Sequence, residues 1–501
     1  MTNKKNESIY KSYRLSALNS FFKIIPSIFV PIILARLLTP EIFGLVAISS
    51  VYVGLAQFIT TFETGESIIK HEINYSFLHS IFWFNLFCGI FAYIILFVFS
   101  EVFPFISNDN LLKKIIKIQA IVLIINSLTN VPLAILKKKL DFYSISIASL
   151  ISGILSSIIS IILAFLGYGV WALISFSLIN AITNFFIIFF KSSYSPNFIF
   201  KSNKIKNIFS FSLNLTLVKI MSYIERNIAK IIVGQNLGLS QVGIYSLGST
   251  MIVKPIKSVS QFVNPVFYSL VSKKKKNISE NLSSNFLTYM QIVILLFYPA
   301  GIILFFFSEC IIHLLLGAKW MELIPIVSIF SFLFFIRPII KILPEIIKKL
   351  SLTNFLLKIY MFFTPVYIFA ILLSAQIGLK EVAISYVFVN FIFGIIYIRY
   401  ITKKINLSFF KIFKNIKNAL INNILLTIYY CIFLYFDFYS LDVISWYFQL
   451  MILISGVFIY LLLQFIFPTH AFNYFFQFLM LNKFHIRINN FLNRFFKFKN
   501  K

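Results

Sequence analysis

The chain has 501 residues, 59% of them apolar and only 12% charged, and its mean hydropathy is +0.90. A water-soluble domain is about 45–50% apolar and about 25% charged, so this composition excludes a soluble enzyme. The net charge of +29 sits in short clusters between long apolar runs, which is the pattern of membrane spans joined by basic cytoplasmic loops rather than of a nucleic-acid binder.

Fourteen apolar segments are each long enough to cross a hydrocarbon core of roughly 30 Å, and each is bounded by charge or by Gly and Pro. They begin near Ser16, Gly44, Leu78, Leu112, Tyr143 and Trp171, then near Ile208, Gly243, Phe286, Leu323, Phe355 and Val382, and finally near Leu420 and Val443. The apolar run from Leu15 to Leu38 is too long for a cleaved leader, and no small-residue cleavage site follows it. The boundary around Lys319 is the least sharply marked. These segments predict an all-α polytopic membrane protein.

Cations set the direction. Lys4, Lys5, Lys11 and Arg14 hold the N-terminus in the cytoplasm. With an even number of spans, Lys137–Lys139, then Lys191, Lys201, Lys204 and Lys206, then Lys273–Lys276 fall on that side. So do Lys348 with Lys349, the cations from Arg399 to Lys417, and the C-terminal tail. The opposite loops are short and nearly neutral, as at Gly167–Gly169 and Gly234–Val242, or acidic, as at Asp437 and Asp442. The exception to the alternation is the group Lys113, Lys114 and Lys117 after Asp109.

Transporters are often duplicated bundles, and this chain repeats one joint. Ala35–Ser49 reads ARLLTPEIFGLVAIS, and Gly234–Ser249 reads GQNLGLSQVGIYSLGS. Leu38 and Gly44 superpose on Leu237 and Gly243 at one constant offset. A plain preference of tight hairpins for Gly would give the same match. Six spans on either side of the basic linker Lys191–Lys206 favour two pseudo-symmetric six-helix lobes. The expected organisation is an N-terminal lobe over 1–200, a C-terminal lobe over 201–415, a helix pair over 416–467 and a basic-aromatic tail over 468–501.

Ionisable residues inside spans each cost several kcal/mol unless they are paired or face water. In the seventh span Lys219, Arg226 and Lys230 share one helical face, and in the eighth Lys254, Lys257 and Gln261 do. Lys23 lies in the first span. Against the five cations of spans seven and eight stands one acid, Glu225, so the rest need water or an anionic ligand. Snorkelling of long stems to the headgroups is the competing reading. It suits Arg36 at the outer end of the first span, and Lys230. It does not suit Lys219, roughly 16 Å into its helix at about 1.5 Å per residue. A buried cationic surface of this kind is chemically suited to a diphosphate, since each phosphate accepts several charge-assisted hydrogen bonds, while helix packing and snorkelling stay open beside it. Among the scarce acids, Glu63, Glu66 and Glu225 are available to couple transport to Na⁺ or H⁺; salt bridges, such as Glu63 or Glu66 to Lys70, are the plainer role.

The same residues carry a family resemblance. The stretch ILARLLTPEIFGLVAIS, followed by Glu63-x-Gly65, resembles the opening of bacterial Wzx-type polysaccharide flippases. The segment FSLNLTLVKIMSYIERNIAKIIVGQNLGLSQVGIYSLGS resembles their seventh and eighth spans, with Ala229 where the family commonly has Asp. These flippases share a superfamily with the MATE exporters and the lipid II flippases. The resemblance implies about fourteen helices around a basic central cavity. It implies a cargo of undecaprenyl-diphosphate-linked oligosaccharide and a place in the bacterial inner membrane beside polymerase and other assembly proteins. It also implies diphosphate contacts at Lys23, Lys219, Arg226, Lys254 and Lys257.

No phosphate-binding Gly loop, HExxH or GxSxG occurs, so no catalytic residue is expected. The five His are isolated, and Cys88, Cys310 and Cys431 have no metal spacing, so neither a metal nor a resident cofactor is expected. A membrane-embedded polymerase or glycosyltransferase acting on the same lipid would need a large outer loop or an acid pair. A MATE-like exporter of cations would want acids where this chain has lysines. The tail after Pro468 alternates aromatic and basic residues, which suits the anionic inner leaflet rather than RNA.

Overall fold

The computed structural model describes residues 29–61, 64–65, 68, 75–102, 109–199, 202–272, 278–349, 353–439, 446–469 and 472. Every element among them is helical. In chain order they are α1 (29–37), α2 (Pro40–Thr61), α3 (Tyr75–Val102), α4 (Asn110–Gln119), α5 (Ile121–Lys138), α6 (Phe142–Phe165), α7 (Val170–Ser192), α8 (Ser202–Leu237) and α9 (Leu239–Ser272). There follow α10 (Ile278–Phe306), α11 (Ser308–Leu316), a 3₁₀ turn (Ala318–Leu323), α12 (Ile324–Ser331), α13 (Leu333–Lys349), α14 (Thr353–Ser374), α15 (Leu379–Lys404), α16 (Phe409–Tyr439) and α17 (Trp446–Ile466).

Helices cover the expected segments from Gly44 onward; polar first turns extend several of them beyond their apolar part, to Ser202, Ile278 and Phe409. Nine of the described helices are long and apolar enough to cross a membrane. They are ten if Ala318–Ser331 and the helix from Leu333, bent by 53°, count as one span. The chain is therefore a multi-pass membrane protein. Apolar stripes face outward, as lipid requires: Phe87, Phe91, Ile94 and Val98 recur at helical spacing on α3 and are all exposed. The cation-bearing α8 and α9 fall outside the nine. At 36 residues α8 is about 54 Å long, well beyond the hydrocarbon thickness.

The exception to the charge alternation is resolved locally. Lys113 and Lys117 both reach Glu101, the former at 3.0 Å, and Lys117 also sits over the Phe97 ring. Asp109 caps α4 by accepting from the Leu111 and Leu112 amides.

The chain packs as two compact units, one of Met1–Ser258, Leu315–Ile326 and Thr353–Tyr386, the other of Val259–Leu314, Val327–Leu352 and Val387–Lys501. In the first, α6 turns Ser152, Ser156, Ser160 and Ala164 toward α7 at four-residue spacing. Small residues at that spacing let backbones close in, and Ser160 Oγ donates to Ala172 O at 2.6 Å. Gly238 (φ +88°) makes the left-handed turn between α8 and α9.

The two joints that match in sequence meet in space. A Cβ on Gly44 would lie 1.9 Å from Leu239 O, and a Cβ on Gly243 would lie 1.8 Å from Pro40 O. Each glycine thus receives the carbonyl four residues before the other, a reciprocal contact of the kind a two-fold axis generates. Both lie inside helices, so hairpin geometry does not account for them.

In the second unit, α10, α16 and α17 enclose Leu295, Leu426, Tyr430, Ile452 and Tyr460. Tyr460 Oη donates to Leu295 O at 3.0 Å, and Gly456 leaves room for the Tyr430 ring. Tyr289 Oη donates to Pro338 O, and Arg337 Nε to Asn390 Oδ1.

Candidate functional site

The cationic face of α8 is organised by a residue the charge pattern does not reveal. Tyr223 falls at i+4 from Lys219, with Arg226 and Lys230 three and seven residues further on, so all four share one face. Its hydroxyl reaches Ser50 O and Val51 O of α2, each at 3.1 Å, and its ring meets Phe58 edge-on at 5.5 Å. Gly54 makes this possible, since a Cβ there would come within 2.0 Å of Tyr223 Oη. The cation-bearing face of α8 is therefore the face turned toward α2.

Along this face Arg226 is exposed and anchored by Nε to Ser222 O at 2.8 Å. Lys230 Nζ donates to Asn227 Oδ1 at 3.1 Å. Lys230 lies within electrostatic range of Lys254 on α9, and Lys254 within range of Lys257, so the two helices bring their cations together. Lys219, Lys230 and Lys254 are partly buried, and Lys257 is exposed. Lys230 thus lies on the side of α8 that nears Lys254 of α9. Arg36, by contrast, donates from Nε to Leu315 O at 2.9 Å and ties α1 to the end of α11.

Glu225 directly precedes Arg226, so it points about 100° away from the cationic face. Ala229 is fully buried, so an acid there would have been buried with it. Lys23, Glu63 and Glu66 lie outside the described residues, as does the side chain of Gln261. No group of three or more His, Cys, Asp or Glu suited to a metal occurs among the described residues.

Behind Tyr223, a ladder of neutral polar side chains joins α2 to α4 and α5. Ser49 Oγ donates to Gln119 Oε1 at 2.6 Å, and Gln119 Nε2 to Ser50 Oγ at 2.9 Å. Asn126 Nδ2 donates to Gln57 Oε1 at 2.9 Å, and Gln57 Nε2 to Thr60 Oγ1 at 2.7 Å. Asn130 Nδ2 donates to Thr64 Oγ1, whose hydroxyl donates to Asn85 Oδ1, both at 3.1 Å. Gly65, the glycine of the acid-x-Gly pattern, admits Asn130: a Cβ there would sit 2.7 Å from Asn130 Oδ1.

The linker after α7 is fastened to α3. The Asn197 amide donates to His79 Nδ1 at 3.2 Å, Trp83 Nε1 donates to Asn197 O at 2.9 Å, and Trp83 stacks on Phe198 at 4.4 Å.

Taken together, the site and fold define a polytopic helical membrane protein that carries cations on its two long helices α8 and α9. A sequence profile for the polysaccharide biosynthesis protein family matches residues 33–325, more than half of the chain, and the chain belongs to that family. It is 25% identical over 300 residues to the succinoglycan biosynthesis transport protein ExoT of Rhizobium meliloti (strain 1021), covering 60% of each chain. It is 23% identical over 366 residues to the lipopolysaccharide biosynthesis protein WzxC of Escherichia coli (strain K12), covering 72% of this chain and 74% of WzxC. Its fold is similar to that of the lipid II flippase MurJ in an inward closed conformation, with a TM-score of 0.71 and 18% identity over 90% of this chain and 98% of MurJ. The Vibrio cholerae MATE transporter VcmN matches with a TM-score of 0.54 and 12% identity, over 80% of this chain and 98% of VcmN.

Proposed function

We propose that the chain is a flippase carrying a polyprenyl-diphosphate-linked oligosaccharide across the bacterial inner membrane by alternating access. In this reading fourteen spans form two six-helix lobes and a C-terminal pair, and both termini are cytoplasmic. The observation that carries the reading is the cationic face of α8 and α9, where Lys230 approaches Lys254 and Lys254 approaches Lys257. Like charges gathered within a membrane repel unless an anion or water joins them, and a diphosphate supplies that charge with several acceptor oxygens. Membership of the polysaccharide biosynthesis protein family supports the cargo class, and the names of ExoT and WzxC agree with it. Binding alone moves nothing uphill, so an Na⁺ or H⁺ gradient, or consumption of product on the far side, supplies direction. We assign Glu63, Glu66 and Glu225 as the acids available for coupling.

Lys219→Gln and Lys254→Gln test the assignment, because each keeps length and hydrogen bonding while removing charge. Each should lower surface-polysaccharide export at least about tenfold at wild-type abundance, the loss of one charge-assisted contact. Lys→Arg variants should keep more activity, since charge persists although geometry changes. Lys403→Gln, at the exposed end of α15, is the control and should be neutral. Full export by both Gln variants at normal abundance would overturn the diphosphate assignment.

A further inference from the structure

A lysine suits a phosphate, but the hydroxyls of a sugar call for neutral groups that both donate and accept. The ladder between α2 and α5 is made of such groups, and its members differ in exposure. Ser49, Thr60, Thr64, Asn85 and Gln119 are buried, as interhelical ties should be. Gln57, Asn126 and Asn130 are partly open. Ser50 is partly open too, but the other three are amides, and each keeps hydrogen-bonding capacity beyond the bonds it makes, since an amide offers two donors and two acceptor lone pairs.

Register places this open strip level with the cations along α2. The start of α9, just past the end of α8, meets α2 at Gly44, whereas Tyr223 meets α2 at Ser50–Phe58. The two helices are therefore antiparallel, and moving back along α8 moves forward along α2. Lys219 lies one turn beyond Tyr223 in that direction, about 6 Å, which brings it level with Gln57. Asn130 lies one further turn along α5 from Asn126, the partner of Gln57. In a lipid-linked saccharide the first sugar is bonded directly to the diphosphate. A strip beginning level with Lys219 and extending one turn away from Gly44 is where that sugar would lie. Phe58, partly exposed beside Gln57, adds an aromatic face of the kind that lines small-molecule sites.

We propose that Gln57, Asn126 and Asn130 form a hydroxyl-reading strip that recognises the sugar attached to the diphosphate, so that these residues set cargo specificity. The inference rests on the flippase reading and deepens it. Gln57→Met and Asn126→Leu, singly and together, replace the amides by apolar groups of similar size. Paired apolar replacement leaves no orphaned partner between the two and preserves packing.

The experiment is a binding titration of the full chain in nanodiscs. The probes are undecaprenyl diphosphate and its forms bearing glucose, galactose or N-acetylglucosamine. The wild type should bind both classes, and at least one sugar-bearing form about tenfold or more tightly than the bare lipid. In the double variant that preference should collapse to within about twofold, while affinity for the bare lipid and the melting temperature stay unchanged. Lys219→Gln should do the reverse, weakening bare and sugar-bearing lipids alike and leaving their ratio intact. A ratio that survives the double variant, or a wild type that prefers no sugar, overturns the strip while the flippase reading stands. So does a fall in both affinities together with the melting temperature, because that marks a structural tie. A wild type that binds neither class overturns both.

Discussion

One methyl group is the most direct probe of the contact between Gly44 and Gly243. Either Gly→Ala change places a Cβ within 2 Å of a backbone carbonyl, and helix backbone does not yield as a side-chain tip does. Each single change should cost about 1–3 kcal/mol, read as a lower melting temperature of the purified protein. The double change should cost less than the sum, because one methyl already drives the helices apart. Strict additivity would show that the two glycines do not share a contact. A second residue-scale prediction concerns Asp141, the N-cap of α6. Its Oδ1 accepts from the Ser144 amide at 3.0 Å, and its Oδ2 from the Ser144 hydroxyl at 2.7 Å. The amide bond first, and the hydroxyl after it, hold this carboxyl below the usual carboxylate range. The lowered value stabilises the fold above the unfolded-state range and ceases to do so as pH falls through the folded value. Asp141→Ala should therefore cost about 1 kcal/mol near neutral pH, and its melting temperature should converge on that of the wild type below about pH 4. Asp141→Asn should keep the cap without that pH dependence.

At the scale of elements, the linker clasp makes a separate prediction. His79 Nδ1 accepts the Asn197 amide and also meets the Tyr194 hydroxyl at 3.1 Å, so the ring joins α3 to two points of the linker. His79→Ala should free the segment after α7, and limited proteolysis should cut between residues 193 and 199 faster than in the wild type. Unchanged cleavage would mean that Trp83, with Ser80, whose hydroxyl donates to Ile199 O at 3.4 Å, suffices to hold it. Elements were also where the sequence was most and least legible. The apolar segments found their helices, and the shared face of Lys219, Arg226 and Lys230 followed from 3.6-residue periodicity alone. Tyr223 did not stand out, because its role depends on Gly54 of a helix some 170 residues away, and no local pattern encodes that. The Gln57, Asn126 and Asn130 strip was equally hidden, since amides in apolar runs read as ordinary polar ties. The indistinct boundary near Lys319 proved to be a 3₁₀ turn followed by a 53° break.

At the scale of the whole molecule, topology is the prediction to test. Reporter fusions after Lys139, Lys276 and Lys417 should report cytoplasm, and fusions near Tyr168 and Gly238 should report the far side. An extracytoplasmic signal at Lys276 would invert the map. The span count shows why hydropathy stops short here: α8 and α9 exceed the length required but stand outside the nine apolar helices, and their sequences mix Lys and Arg with Ser, Asn, Gln and Thr. A lipid-crossing threshold penalises the very residues a polar interior needs.

The paired glycines also fix an internal alignment. From Gly44 to Gly243 the offset is 199 residues, and applying it to the cations gives each one a counterpart in the first half. Lys254 corresponds to Leu55, Lys257 to Phe58, Lys219 to Ser20, Arg226 to Ser27 and Lys230 to Pro31. None of the five counterparts is charged. The reverse also holds, since Lys23 of the first half corresponds to Ser222, so the two segments share spacing and a contact but not their cations. Substituting Lys254 or Lys257 by its first-half counterpart would therefore bring the two segments closer in sequence and take one cation from the α9 face.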